Sequence, residues 1–263
     1  MTPRNGMQAR RALVLLGLWG ALLLSGCAVT TQVKAAVQAQ AAYQEGAKLY
    51  QANEYARAIP KFQQTLAIQP DHDDAETLLA WSHYFLGQYT EATRYFRQVL
   101  ARQPKWEGLH NGLGWSRYRV GRYNLALESF RQALALDAQF RDAGIGYAYS
   151  LFELGRYAEA LPHLTRLTRE GEGFGPRTAV TDVEDVRGRY AWTLFYLGDY
   201  GRAREQFTKG IAARPSWSGL HNGLGWTLLR LGDTARARQA FQRAVELKPD
   251  LGDARDGLAQ LQR

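Results

Sequence analysis

The chain has 263 residues, enough for one or two compact domains or for one extended repeat array. Hydrophobic residues make up 46% and charged residues 22%, which excludes a disordered polar tail. Lys and Arg number 33 against 25 Asp and Glu, a net charge of +8, but no run of adjacent basic residues is longer than Arg10-Arg11, so a clustered basic stripe for nucleic acid is missing.

The N-terminus reads as an export signal over residues 1–26. Arg4, Arg10 and Arg11 form a positive segment, and residues 12–24 form an apolar run of thirteen. A helix needs ~20 apolar residues to cross a bilayer, so this run fits a signal peptide better than a span. Its removal leaves a mature chain of about +5. The run ends in Leu24-Ser25-Gly26-Cys27, which resembles the bacterial lipobox. That resemblance implies cleavage before Cys27 and acylation of its thiol. The alternative is a lone cysteine at the end of a membrane anchor. Ala28, where Asp would retain the protein at the inner membrane, implies the outer membrane, facing the periplasm. Cys27 is the sole cysteine, so an internal disulfide and thiol catalysis are excluded. Residues 27–38 read as the lipidated N-terminus and a tether.

From residue 39 a 34-residue period takes over. Gly87-Gln88-Tyr89 recurs at Gly121-Arg122-Tyr123 and Gly155-Arg156-Tyr157, then at Gly198-Asp199-Tyr200 and Gly232-Asp233-Thr234, with an earlier copy at Asn53-Glu54-Tyr55. A small and a bulky residue follow each turn: Ala58/Phe62, Ala92/Phe96, Ala126/Phe130, Ala160/Leu164, Ala203/Phe207 and Ala237/Phe241. Pro70, Pro104, Pro215 and Pro249 close four of the six copies. The pattern predicts a helix, a turn that takes positive φ, a second helix whose Ala sits at the closest approach, and a stop.

These residues resemble the tetratricopeptide repeat (TPR) motif, and the chain is identified on them as a member of that family. The resemblance implies an all-α, right-handed TPR solenoid of six helical hairpins, at 39–72, 73–106, 107–140, 141–174, 184–217 and 218–251. A loop insertion occupies 175–183, either a tolerated surface insertion or a functional loop. Residues 252–263 read as a capping helix.

A larger duplication overlies the repeats. WEGLHNGLGW at 106–115 returns as WSGLHNGLGW at 217–226, 111 residues later, and Trp81 and Trp192 have the same offset. Pro60 and Pro162 mark repeats 1 and 4, 102 residues apart because the insertion follows them. A duplicated three-repeat unit with two similar half-sites is expected.

The resemblance further implies that positions 2, 5, 9, 12 and 13 of each first helix face a concave groove. Position 9 carries Trp81, Trp115, Tyr149, Trp192 and Trp226, after Ala47 in repeat 1. Position 12 adds Tyr84 and Tyr118, position 5 Asn111 and Asn222, and position 13 Arg119 and Arg230. Aromatic rings offer flat faces with little entropy to lose. Three readings stay open for the ladder: packing between first helices, a groove for protein or peptide, and a groove for a glycan. The Lys, Asn and Arg set that clamps a peptide carboxylate in some relatives is not matched at Tyr43, Ala47, Asn111 and Trp115.

No catalytic, metal or cofactor constellation is expected. His72, His83, His110, His163 and His221 lack a second ligand at metal spacing. Gly112 and Gly114, and their copies Gly223 and Gly225, lack the strand-turn-helix setting of a nucleotide loop. The sequence therefore predicts a binding protein and not an enzyme. It would be a membrane-anchored scaffold or adaptor for an envelope protein or peptide in envelope assembly, secretion or polysaccharide export. The alternative is direct polysaccharide binding along the aromatic groove.

Overall fold

The computed structural model describes residues 26–171 and 183–262. Residues 1–25 of the expected signal peptide, the side chain of Cys27 and nearly all of the 175–183 insertion lie outside the described residues. The described residues form thirteen helices and no strand. The chain divides into two compact units, 1–95 and 96–263.

Unit 1 holds α1 (Gly26–Gln51), α2 (Tyr55–Ile68), α3 (Asp73–Phe85) and the first half of α4 (Tyr89–Arg102). The tether expected over 27–38 is helical and continuous with the first repeat helix. Ala58, Phe62, Ala75 and Leu79 are fully buried and form the core, with Tyr43, Leu49, Ile59 and Tyr95 packed around them. The Thr65 hydroxyl donates to the Ala39 carbonyl at 3.3 Å and ties α2 to α1.

Unit 2 holds the rest of α4, then α5 (Glu107–Arg119), α6 (Tyr123–Leu136), α7 (Arg141–Glu153), α8 (Tyr157–Gly171), α9 (Val183–Tyr196), α10 (Tyr200–Ala213), α11 (Ser218–Arg230), α12 (Thr234–Leu247) and α13 (Gly252–Gln260). Each first helix packs on its hairpin partner. It also touches the next first helix, in the pairs α5–α7, α7–α9, α9–α11 and α11–α13. The first helices of unit 2 thus follow one another in contact, and the second helices α6, α8, α10 and α12 each pack on the first helix that follows them.

The hairpin geometry follows from residue size. All six alanines and all six bulky partners of the repeat are fully buried. The bulky residue needs room, and glycine supplies it. A Cβ on Gly112 would stand 2.5 Å from Phe96, and one on Gly114 2.6 Å from Phe130, closer than carbon atoms approach. The same ring, Phe130, also leaves no room for a Cβ on Gly146 of the next repeat. At the turns, Gly87, Gly121, Gly155, Gly198 and Gly232 take φ between 70° and 82°, and Asn53 takes 61° in repeat 1. Where repeat 3 lacks its proline, the Asp137 carboxylate accepts from the Gln139 amide at 2.9 Å and turns the chain instead.

Candidate functional site

The aromatic residues do not form one uniform ladder. They gather into compact clusters, one of them built twice. In unit 1, Trp81 stacks on Phe85 at 5.9 Å and 27°, and Phe85 stacks on Tyr55 at 4.7 Å and 20°. Tyr84 meets Trp81 edge-on at 5.5 Å and is buried. Tyr50 closes the cluster against Tyr55 and Phe85, and burial pushes its phenol well above the usual tyrosine range.

Unit 2 repeats this arrangement ring for ring. Trp192 stacks on Tyr196 at 5.8 Å and 26°, Tyr196 stacks on Tyr157 at 4.5 Å and 13°, and Phe195 meets Trp192 edge-on at 5.3 Å. Phe152 takes the place of Tyr50. The middle ring is the exposed one in both copies: Phe85 is 36% and Tyr196 50% exposed. A one-turn helix spacing explains the stack. Trp81/Phe85 and Trp192/Tyr196 are i,i+4 pairs on one face, and the tyrosine that begins the second helix lies across the turn from them.

The repeated decapeptide builds a second pair of constellations, both within unit 2. The Asp142 carboxylate accepts from Asn111 Nδ2 at 2.8 Å and from Trp115 Nε1 at 3.1 Å. The Asp253 carboxylate accepts from Asn222 Nδ2 at 2.6 Å and from Trp226 Nε1 at 3.2 Å. Each aspartate lies in the first turn of its helix, α7 or α13, where the helix dipole favours the anion. Burial raises the Asp142 pKa above the ordinary value, and the bonds from Asn111 and Trp115 and the Arg141 charge oppose this in part. The imidazoles of the same segments brace the preceding turns, His110 Nε2 on the Pro104 carbonyl at 2.9 Å and His221 Nε2 on the Pro215 carbonyl at 2.8 Å.

The surroundings of the two triads differ. Trp115 is only 3% exposed. Tyr149 of α7, equally buried, stands edge-on to its indole at 6.3 Å and 6.4 Å from Tyr118. Arg189 of α9 covers Tyr149 at 4.2 Å and pairs with Glu153 at 2.5 Å, while the Tyr118 hydroxyl donates to the same carboxylate oxygen at 2.9 Å. At the second triad Gln260 stands where Tyr149 stands, seven residues after the aspartate, and it is exposed. A cavity of 610 Å³ opens there, lined by Trp192, Phe195, Tyr196, Trp226, Leu229, Arg230, Asp253 and Gln260.

The expected groove residues thus fall into classes. Trp115, Tyr149, Tyr84, Asn111 and Asn222 are buried, and both asparagines bond to aspartate. Trp81, Tyr118, Trp192 and Trp226 are half-buried, and Arg119 and Arg230 are exposed. Trp192, Trp226 and Arg230 share the cavity. The sequence reading missed Phe85, Tyr196, Tyr55, Tyr157, Asp142, Asp253, Arg189 and Gln260. The duplication offset could have found several of them, since Phe85/Tyr196 and Asp142/Asp253 each lie 111 residues apart.

Among the described residues, no helix is long and apolar enough to cross a membrane, and no cluster of His, Cys, Asp and Glu stands ready for a metal. Family models described as tetratricopeptide repeat match residues 49–113, 111–173 and 191–252. No curated protein matches the sequence. Among solved structures, YrrB, described as a TPR protein with an unusual peptide-binding site, is 17% identical with a TM-score of 0.60, over 74% of this chain and 96% of that one. MamA from Desulfovibrio magneticus RS-1 is 17% identical with a TM-score of 0.60, over 68% and 96%. The APC/C Cut9–Hcn1 hetero-tetramer gives 15% identity and a TM-score of 0.69, over 86% of this chain and 43% of that one. At these identities the likeness is one of fold.

Proposed function

The chain belongs to the tetratricopeptide repeat family, an all-α solenoid fold that serves as a protein–protein interaction scaffold, and from that premise we propose that it is a lipid-anchored adaptor of the bacterial envelope. In this reading Cys27 carries the lipid and holds the repeats at the outer membrane, on the periplasmic side. Several acyl chains on one residue anchor firmly, because each buried CH₂ contributes ~0.8 kcal/mol. The repeats then hold a partner protein or peptide of an envelope assembly, secretion or polysaccharide-export machine. The reading assigns the protein no catalytic step.

The observation that carries the binding role is the twin aromatic stack. Large rings are usually buried, and each stack leaves its middle ring, Phe85 or Tyr196, open to solvent. Rings held rigid by neighbours on both faces lose little freedom when a partner covers them, which is how interface anchors act. That YrrB is described as peptide-binding supports a peptide or protein partner for the same fold.

The test is intrinsic fluorescence of the full chain in detergent, titrated with fractionated envelope proteins. A saturable change with one fraction is expected, lost in Phe85→Ala plus Tyr196→Ala with an unchanged melting temperature. Retained binding in that double variant sinks the assignment to the stacks. Labelled palmitate that fails to enter the wild-type chain, or enters Cys27→Ser equally, sinks the anchor.

A further inference from the structure

We infer that the cavity between α9, α11 and α13 is a binding subsite for a neutral saccharide unit. Its 610 Å³ lie within the usual range for small-ligand pockets and far exceed the volume of one side chain. All of its lining belongs to unit 2, so the subsite stands on one compact body.

The walls have the chemistry a pyranose ring needs. Trp192 and Trp226 present aromatic surface, and the electron-rich face of such a ring attracts the polarised C–H groups on the flat side of a sugar, while Tyr196, whose faces stack on Trp192 and Tyr157, borders the opening. The polar groups come in balance. Asp253 is the one anion of the lining and Arg230 the one cation, so the cavity has no net charge to reward a charged ligand. One Asp253 oxygen, Oδ2, accepts from Asn222 and Trp226, which fixes the carboxylate in place. The other is left to accept from a hydroxyl. Arg230 brings only donors, and the Gln260 amide brings both a donor and an acceptor. A polyhydroxylated neutral ring satisfies all three, whereas a cationic side chain would face Arg230 and an anionic one Asp253.

The sealed copy of the triad shows that the opening is not needed to build the motif. Asn111, Trp115 and Asp142 make the same bonds with Tyr149 packed against them. Gln260 in place of that tyrosine is what leaves the second copy open. This subsite adjoins the second stack, with Trp192 and Tyr196 bordering both, whereas the first stack, around Phe85, stands in unit 1.

Gln260→Tyr should place a ring against Trp226, as Tyr149 lies against Trp115, and obstruct the cavity without disturbing the triad. The experiment is saturation-transfer NMR and tryptophan fluorescence on the full chain in detergent. The probes are cellohexaose, maltohexaose and tetra-N-acetylchitotetraose, each up to about 10 mM, a generous limit for weak specific binding. At least one probe is expected to saturate, and Gln260→Tyr to weaken it tenfold or more at a melting temperature no lower than that of wild type. Arg230→Gln, at an exposed position beside the Tyr200 ring, should weaken it several-fold and guards against a folding artefact. Absence of saturation with all three probes overturns the inference. So does equal binding by wild type and both variants. Capture of an envelope protein through Phe85 and Tyr196 should persist in Gln260→Tyr, so failure of either reading is told apart from failure of the other.

Discussion

Segments 106–115 and 217–226 differ at one residue in ten, and each ties an asparagine and an indole to an aspartate of the next first helix. Yet Trp115 is buried under Tyr149 and Arg189, while Trp226 borders a cavity. The segments themselves do not create the difference. What differs is the following first helix, where α7 carries Tyr149 and α13 carries Gln260. In a repeat protein each motif meets only its neighbours, so the same ten residues can serve as core in one place and as a site in another.

The sharpest way to break this comparison is to delete the two indoles. Trp115→Ala removes a fully packed ring and should cost about 3–5 kcal/mol of stability. Trp226→Ala removes a half-buried ring and should cost about half as much, because less surface is returned to water. Urea unfolding of the two variants checks the ranking, and equal losses would mean that the cavity is no more open than the sealed copy. Tyr149→Gln comes next. It imposes the second environment on the first triad and should cost about 2–4 kcal/mol, since a buried ring goes and its volume is not refilled. If the variant is as stable as wild type, Tyr149 is not what seals the first copy.

A smaller effect follows from the buried carboxylate. The Asp142 pKa is raised above 3.8 in the folded state, chiefly by burial. The folded protein therefore holds that proton at pH values where the unfolded chain has released it. Stability from this group is present below about pH 4 and falls as pH rises through the folded value, the opposite of a carboxylate such as Glu128, held at about 2 by bonds from Arg131 and Gln132. Asp142→Asn keeps a carbonyl to accept from Asn111 and Trp115 and removes the titration. The stability of wild type relative to Asp142→Asn should decline as pH rises above about 4 and through the folded value, by at most about 1.4 kcal/mol per unit of pKa shift. A flat difference would show that Asp142 is better solvated than its surroundings suggest.

The repeat itself was legible because it rests on residue size at fixed spacing. Ala58 and Phe62, or Ala237 and Phe241, can be recognised from sequence since only a small residue fits at the helix crossing and only a bulky one fills the space beside it. The turn glycines were legible for the same kind of reason, being tied to a backbone region that side chains avoid. The state of the ladder was not. Position 9 predicts that a ring faces the neighbouring first helix, but whether anything covers it is decided by one residue in the following helix, such as Tyr149 or Gln260. Likewise Asp142 and Asp253 stand in a first turn, where an acid is ordinary, and only the geometry shows them bound to an asparagine and an indole. Phe85 and Tyr196 escaped notice because position 13 in the other repeats holds polar residues such as Arg119, Glu153 and Arg230.

The smallest expected effect is also the cleanest reversal of the comparison. Gln260→Tyr replaces an exposed amide with a ring that can lie against Trp226, as Tyr149 lies against Trp115. Burying part of that ring should contribute about 1 kcal/mol, less than full burial because the residue sits in the last turn of α13. Ordering a long polar side chain no longer counts against it, since a tyrosine has fewer rotamers to lose. A rise of a few degrees in melting temperature would show that the cavity accepts the ring as the first copy does. A fall would mean that α13 cannot move close enough to α11, and the opening would then be a property of helix placement and not of residue 260.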